Sequence, residues 1–219
     1  MRRFALILMS LIVAAVVALA ALMAAYRFVP PVSTLMLARW ATGEPVTRDY
    51  VPLAQISRNL QAAVVASEDA KFCRHDGVDW DALMEVMEEA DEDGPSRGAS
   101  TIPMQTVKNL FLWPWRTAAR KAFEIALALA LDFVWPKRRI LEAYLNVAEW
   151  GDGLFGAEAA ARRYFGRAAS ELDARQAALL AVSLPNPRRR DPARPSRFMS
   201  SRAATIQARM READLSCVK

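Results

Sequence analysis

The chain has 219 residues, 53% of them hydrophobic, and a formal net charge of +5. One histidine and two cysteines in no metal-like spacing exclude a Cys/His metal centre. The basic balance suits nucleic acid or an anionic lipid phase, and the N-terminus decides between them.

From Phe4 to Ala25 there is no charge, a run of about 22 residues that spans roughly 30 Å as a helix. Arg2 and Arg3 precede it, so the positive-inside rule keeps the N-terminus cytoplasmic and places the rest outside. A signal peptide would have a shorter apolar region, about 7–15 residues, and a small-residue cleavage site. Here Tyr26-Arg-Phe-Val-Pro-Pro31 follows a longer run, so residues 1–28 read as an uncleaved anchor. An exported domain removes nucleic acid as a partner. Membrane lipids and a phosphate-bearing lipid substrate remain.

Pro30-Pro31 breaks the helix. Residues 29–59 read as a linker and membrane-proximal segment with a short helical piece around Leu35 to Trp40. The domain proper then runs over 60–219 and is helical almost throughout. Ile56 to Ala66 gives an apolar face. Asp79 can cap a helix carrying Trp80, Leu83, Met84 and Met87 at helical spacing. Asp91 to Arg97 is a polar loop. Ser100 or Thr101 can cap the next helix, with Pro103 in its first turn. Helices follow over Arg116 to Val134, Lys137 to Val147, Ala157 to Tyr164, Ser170 to Leu184 and Arg197 to Arg211. Strand signals are nearly absent. Cys73 and Cys217 lie far apart and read as unpaired thiols.

Two polar blocks carry the chemistry. The first is Glu68-Asp-Ala-Lys-Phe-Cys-Arg-His-Asp-Gly77. A carboxylate that ends the apolar run Ala62 to Ala66 is partly desolvated, which raises its pKa and suits Glu68 to proton transfer. Alternatively Glu68 and Asp69 form a solvated or capping pair. His75 reads as a hydrogen-bonding residue that pins the turn before Gly77. The second block is Gly98-Ala-Ser-Thr-Ile-Pro-Met-Gln-Thr-Val-Lys-Asn109. A helix starting there offers backbone N–H groups to a phosphate, with Gln105 and Lys108 on one face; a plain capped surface helix is the other reading. Arg120 and Glu124 are i,i+4 neighbours, worth only about 0.3–0.5 kcal/mol if solvated. The apolar stretch after them takes the helix into the core. Glu142 and Asn146 read as a structural polar network. Phe111, Trp113 and Trp115 beside Arg116 suit a membrane interface or core packing equally.

Together these blocks resemble the peptidoglycan glycosyltransferases of family 51, in their short anchored form. The motifs are Glu68, Asp69, Phe72, His75 and Gly77; Gly98, Ser100, Thr101, Ile102, Gln105, Lys108 and Asn109; Arg120, Lys121 and Glu124; and Ile140 to Asn146. Tyr164-Phe-Gly166 and Leu184-Pro-Asn-Pro187 continue the likeness. The resemblance implies an all-α, lysozyme-like domain behind one transmembrane helix, in the cell inner membrane with the catalytic domain periplasmic. It implies polymerisation of lipid II onto a growing glycan strand, with inversion and loss of undecaprenyl diphosphate. By that resemblance Glu68 is the general base and Glu124 the second catalytic glutamate. Asp69, Ser100, Gln105, Lys108, Asn109, Arg116, Arg120 and Lys121 contact substrate. No protein metal site is implied; a divalent cation, Mg or Mn, is an option at the diphosphate, and other cell-wall synthesis proteins are candidate partners. A lytic transglycosylase would share the helical fold and one glutamate, but its sugar leaving group would not need so many cations. A non-catalytic cell-wall scaffold would not need both glutamates.

Overall fold

Capping side chains and prolines set the helix limits in the computed structural model, which describes residues 1–89, 99–115 and 117–219. The expected loop over 91–97, together with Gly98 and Arg116, lies outside the described residues. Helix α1 (Arg2–Tyr26) is the one helix there long and apolar enough to cross a membrane, with a mean hydropathy of 2.9. Only Met23 in it is buried. Ser33 caps α2 (Thr34–Ala41), Ser57 caps α3 (Arg58–Glu68) and Asp79 caps α4 (Trp80–Glu88) by accepting from backbone N–H groups. Each such cap stabilises by about 1 kcal/mol.

Thr101, not Ser100, caps α5 (Ile102–Phe111), with Pro103 in its first turn. Thr117 caps α6 (Ala118–Val134), which therefore starts two residues after the expected Arg116. Pro136 precedes α7 (Lys137–Val147), which has the expected bounds. Helix α8 (Ala157–Phe165) stops at Gly166, whose φ of +64° takes the left-handed conformation favoured by glycine. Asp173 and Gln176 form a capping box at α9 (Ala174–Ser183), so the helix begins later than Ser170. Ser196 caps α10 (Arg197–Met210).

Three strands too short to show alternation also form: β1 (Thr47–Arg48), β2 (Glu149–Gly151) and β3 (Leu154–Phe155). Their order is β1-β3-β2, with β1 parallel and β2 antiparallel to β3. The helical class holds, with this small sheet as an addition.

Helix α3 packs against α9 and α10, and α5 against α6 and α7. Every residue from Leu60 to Ala66 is buried, so α3 is a core helix and not one amphipathic face. Full burial of side chains such as Leu60, Ile102 and Ile140 contributes about 1.5–3 kcal/mol each. The segment over 29–59 contributes Met36, Leu53 and Ile56 to the same core. Asn146 holds it from α7, bonding both the N–H (3.0 Å) and the carbonyl (2.9 Å) of Val51. Glu142 accepts from Tyr50 at 2.6 Å and from the Leu53 N–H at 2.8 Å. Burial and the Glu142 carboxylate push the Tyr50 hydroxyl up to about 12.

The end of α1 is tied to the junction of α6 and α7. Trp135 Nε1 donates to the Met23 carbonyl (2.9 Å), and the Arg139 guanidinium donates to those of Tyr26 (2.7 Å) and Val29 (2.6 Å). The cysteine expectation is overturned: Cys73 and Cys217 form a disulfide with a Cα–Cα distance of 5.5 Å. The fold brings the chain's end against the first polar block, a proximity that a sequence separation of 144 does not signal.

Candidate active site

The two polar blocks meet at the end of α3. Asp69, the residue after the last turn, is 7% exposed. Its Oδ2 accepts the Ile102 backbone N–H at 2.8 Å, and both carboxylate oxygens lie within 3.0 Å of His75 Nε2. Asp69 therefore joins the first block to the start of α5. Thr101 Oγ1 adds a 2.6 Å bond to the Gly77 carbonyl. Gly77 has φ +83°, and a Cβ there would meet the Ala128 carbonyl oxygen at 2.6 Å, so the turn that His75 precedes lies directly on α6 and needs glycine.

This leaves Glu68 at the edge of a cleft of about 1020 Å³. Its Oε2 accepts from Gln105 Nε2 at 3.0 Å, and Gln105 Oε1 accepts from the Tyr144 hydroxyl at 3.0 Å. Burial raises the Glu68 pKa above the usual carboxylate range; the Gln105 hydrogen bond and the Lys108 charge oppose the rise without cancelling it. Burial likewise pushes the Tyr144 hydroxyl well up, so it stays a neutral donor.

Further along the cleft wall the second glutamate has a different environment. Glu124 is 3% exposed and Arg120 is 7% exposed, and they pair at 2.7 Å. This is a buried ion pair and not the solvated one that an i,i+4 spacing suggests. Lys121 Nζ lies 3.3 Å from Glu124 Oε2 and donates to Ser100 Oγ at 2.7 Å. Glu124 thus sets the position of two cations, and Lys121 spans from it to the start of α5.

Gln105, Lys108 and Asn109 line the same cleft from α5. Of the residues proposed from sequence, the structure gathers Ser100, Gln105, Lys108, Asn109, Arg120, Lys121 and Glu124 around one cavity, with Glu68 bonded into it through Gln105. Asp69 is absorbed in the scaffold, and Arg116 lies outside the described residues. Tyr144 was missed as a cleft residue. Its signal was there: it sits one turn from Ile140 on a helix whose apolar face must point inward. Trp113 half-lines the cleft beside Lys108 and packs edge-on against Phe123 at 6.2 Å. Trp115, Phe123 and Phe133 are exposed.

A desolvated carboxylate facing a cation-bearing wall can take a proton from one group while stabilising negative charge leaving another. The sequence matches the Transglycosylase family over residues 35–211. It is 57% identical over 194 residues to the biosynthetic peptidoglycan transglycosylase of Rhodospirillum centenum, covering 88% of this chain and 84% of that one. The protein of the same name from Brucella suis is 53% identical over 194 residues, covering 88% and 87%. That from Agrobacterium fabrum is 52% identical over 187 residues, covering 85% and 83%. The two polar blocks, the buried Glu124 pair and a match reaching from α2 to α10 all fall within that span, and the chain belongs to the transglycosylase family.

Proposed function

We propose that this chain is a peptidoglycan glycosyltransferase that polymerises lipid II, using Glu68 as general base. The carrying observation is a buried, raised-pKa carboxylate joined through Gln105 to a cleft that Lys108 and Lys121 line. The 4-hydroxyl of the acceptor sugar loses its proton to Glu68 as its oxygen bonds to the anomeric carbon of the growing strand. The bond from that carbon to the lipid diphosphate breaks, with inversion, and the electron pair leaves on the diphosphate. A diphosphate is a good leaving group, so Lys121 and Lys108 stabilise its charge in place of a strong general acid. Glu124 acts as a positioning residue: it holds Arg120 and Lys121 at the mouth of the site. Ser100, Gln105 and Asn109 supply polar contacts to the sugars and the diphosphate.

Among the described residues no group of three or more His, Cys, Asp or Glu side chains is placed to hold a metal ion. Helix α1 is compatible with a single-pass anchor. We place it in the inner membrane, N-terminus inward. The Cys73–Cys217 disulfide supports a periplasmic domain, since such bonds persist in oxidising compartments.

The test is to incubate the purified full-length protein with labelled lipid II and to size the products on a gel. A ladder of glycan strands is expected. No ladder, together with release of muropeptides in a parallel incubation with intact glycan strands, would establish the lytic reading instead.

A further inference from the structure

A second groove, of about 860 Å³, adjoins the catalytic cleft. The two share Pro187. Arg188 bridges them, its guanidinium lying 3.5 Å from Glu149 on the cleft side and 3.5 Å from Asp152 on the groove side. Arg190 lines it, and the same charge is one of those that oppose the rise of the Glu68 pKa. Its walls are β1, the β2–β3 turn, the last turn of α8 and the segment after α9.

Six guanidinium groups line it, from Arg48, Arg162, Arg163, Arg188, Arg189 and Arg190. Three carboxylates, Asp49, Asp152 and Asp191, are interspersed. Several arginines are already engaged: Arg162 pairs with Glu158 at 2.6 Å, and Arg190 donates to the Val182 carbonyl at 2.7 Å and stacks over Phe198. Among the described residues, Arg163 and Arg189 form no ion pair within 4.0 Å.

The pattern is wrong for a compact phosphate. The cations are spread over separate segments, carboxylates sit between them, and α8 presents its C-terminal, partially negative end. It suits an extended ligand that carries several carboxylates and also a free amine. Arginine forks match carboxylates in two-point geometry, and the aspartates would meet an ammonium group. The volume is in the range of small-ligand sites.

We infer that this groove receives the acidic stem peptide of the acceptor, the sugar unit whose hydroxyl faces Glu68. The inference rests on the polymerase reading, and it adds a specificity site to it. The arginines would read the peptide, while the cleft cations act on the diphosphate.

The experiment uses the full-length protein in detergent and the double variant Arg163→Ala/Arg189→Ala. Both side chains are exposed, so the fold is kept, and an unchanged melting temperature checks this. Polymerisation is compared on lipid II with its intact peptide and on lipid II with the peptide removed. Binding of free N-acetylmuramyl pentapeptide is measured by titration calorimetry. The variant should show about a tenfold higher KM for the intact substrate, an unchanged KM for the peptide-free one, and about tenfold weaker binding of the muramyl peptide. Equal losses on both substrates would assign the groove to the diphosphate or to the lipid surface and overturn the inference. So would wild-type binding of the muramyl peptide by the variant, or no measurable binding by the wild type. Binding needs no turnover, so absence of polymer would defeat the polymerase reading while calorimetry still decided the groove.

Discussion

The two glutamates of the cleft share a charge and almost nothing else. Glu68 ends a buried helix, has one amide donor, and is held in a state where burial favours the proton. Glu124 lies deep in α6 with a guanidinium on one oxygen and an ammonium on the other. The first environment suits the proton acceptor we propose. The second suits an anion that holds cations. Identical side chains are thus assigned different roles by their neighbours, which is how one site can accept a proton and stabilise a leaving anion together.

Four measurements would break or sharpen that contrast. The largest effect should come from Glu68→Gln, which keeps the shape and removes the base. Lipid II polymerisation should fall by about 10²–10⁴-fold; a loss under about threefold would take Glu68 out of that role. Next is Glu124→Gln, which leaves Arg120 buried beside a neutral amide. Breaking a buried pair costs about 3–5 kcal/mol, so its melting temperature should drop well below that of the Glu68 variant. Equal stabilities would make the two environments equivalent after all.

Lys121→Ala should cost about a hundredfold in polymerisation and move stability by no more than about 0.5 kcal/mol, since its amine reaches partly into solvent. A large loss of stability with full activity would make Lys121 a scaffold residue.

The smallest effect is a pH-dependent one. The folded pKa of Glu68 lies above its unfolded value, so the folded state holds that proton more tightly. Stability is lost as pH rises through the window between the ordinary carboxylate value and the raised one, and the cost is full above it. Glu68→Gln removes this cost, so the inactive variant should melt slightly higher than wild type at neutral pH and not at acidic pH. Wild-type polymerisation should fall on acidification at a pH above that of an ordinary carboxylate. A profile flat down to the ordinary range would contradict a buried base.

The parts of this molecule that sequence expressed were those fixed by local chemistry. Helix α7 reads with its observed bounds, directly after the break at Pro136. Ser100 or Thr101, with Pro103, marked the start of α5 to within a residue, and Gln105 and Lys108 could be placed on one face from spacing alone. The parts it hid depend on distant chain meeting. The Cys73–Cys217 bond joins residues 144 apart. Strands of two or three residues carry no period to detect. Asp69 reads as a site acid beside Glu68, and only the approach of His75 and the Ile102 N–H makes it a joint in the scaffold. The depth of the Arg120–Glu124 pair likewise follows from packing, because i,i+4 spacing is the same on a wet face and a dry one.

The disulfide has a topological result. It closes the chain from Cys73 to Cys217 into a ring. Glu124 and the cleft lysines lie within that ring; Glu68 and the apolar anchor hang outside it, on the stretch that leads in. A protease that cuts once anywhere on the ring releases nothing: the pieces stay joined, and the cut shows on a gel only after reduction. The ring also fastens the last residues of the chain to the loop that follows Glu68. A pull on the C-terminus is therefore borne by the first polar block and not by the helices between.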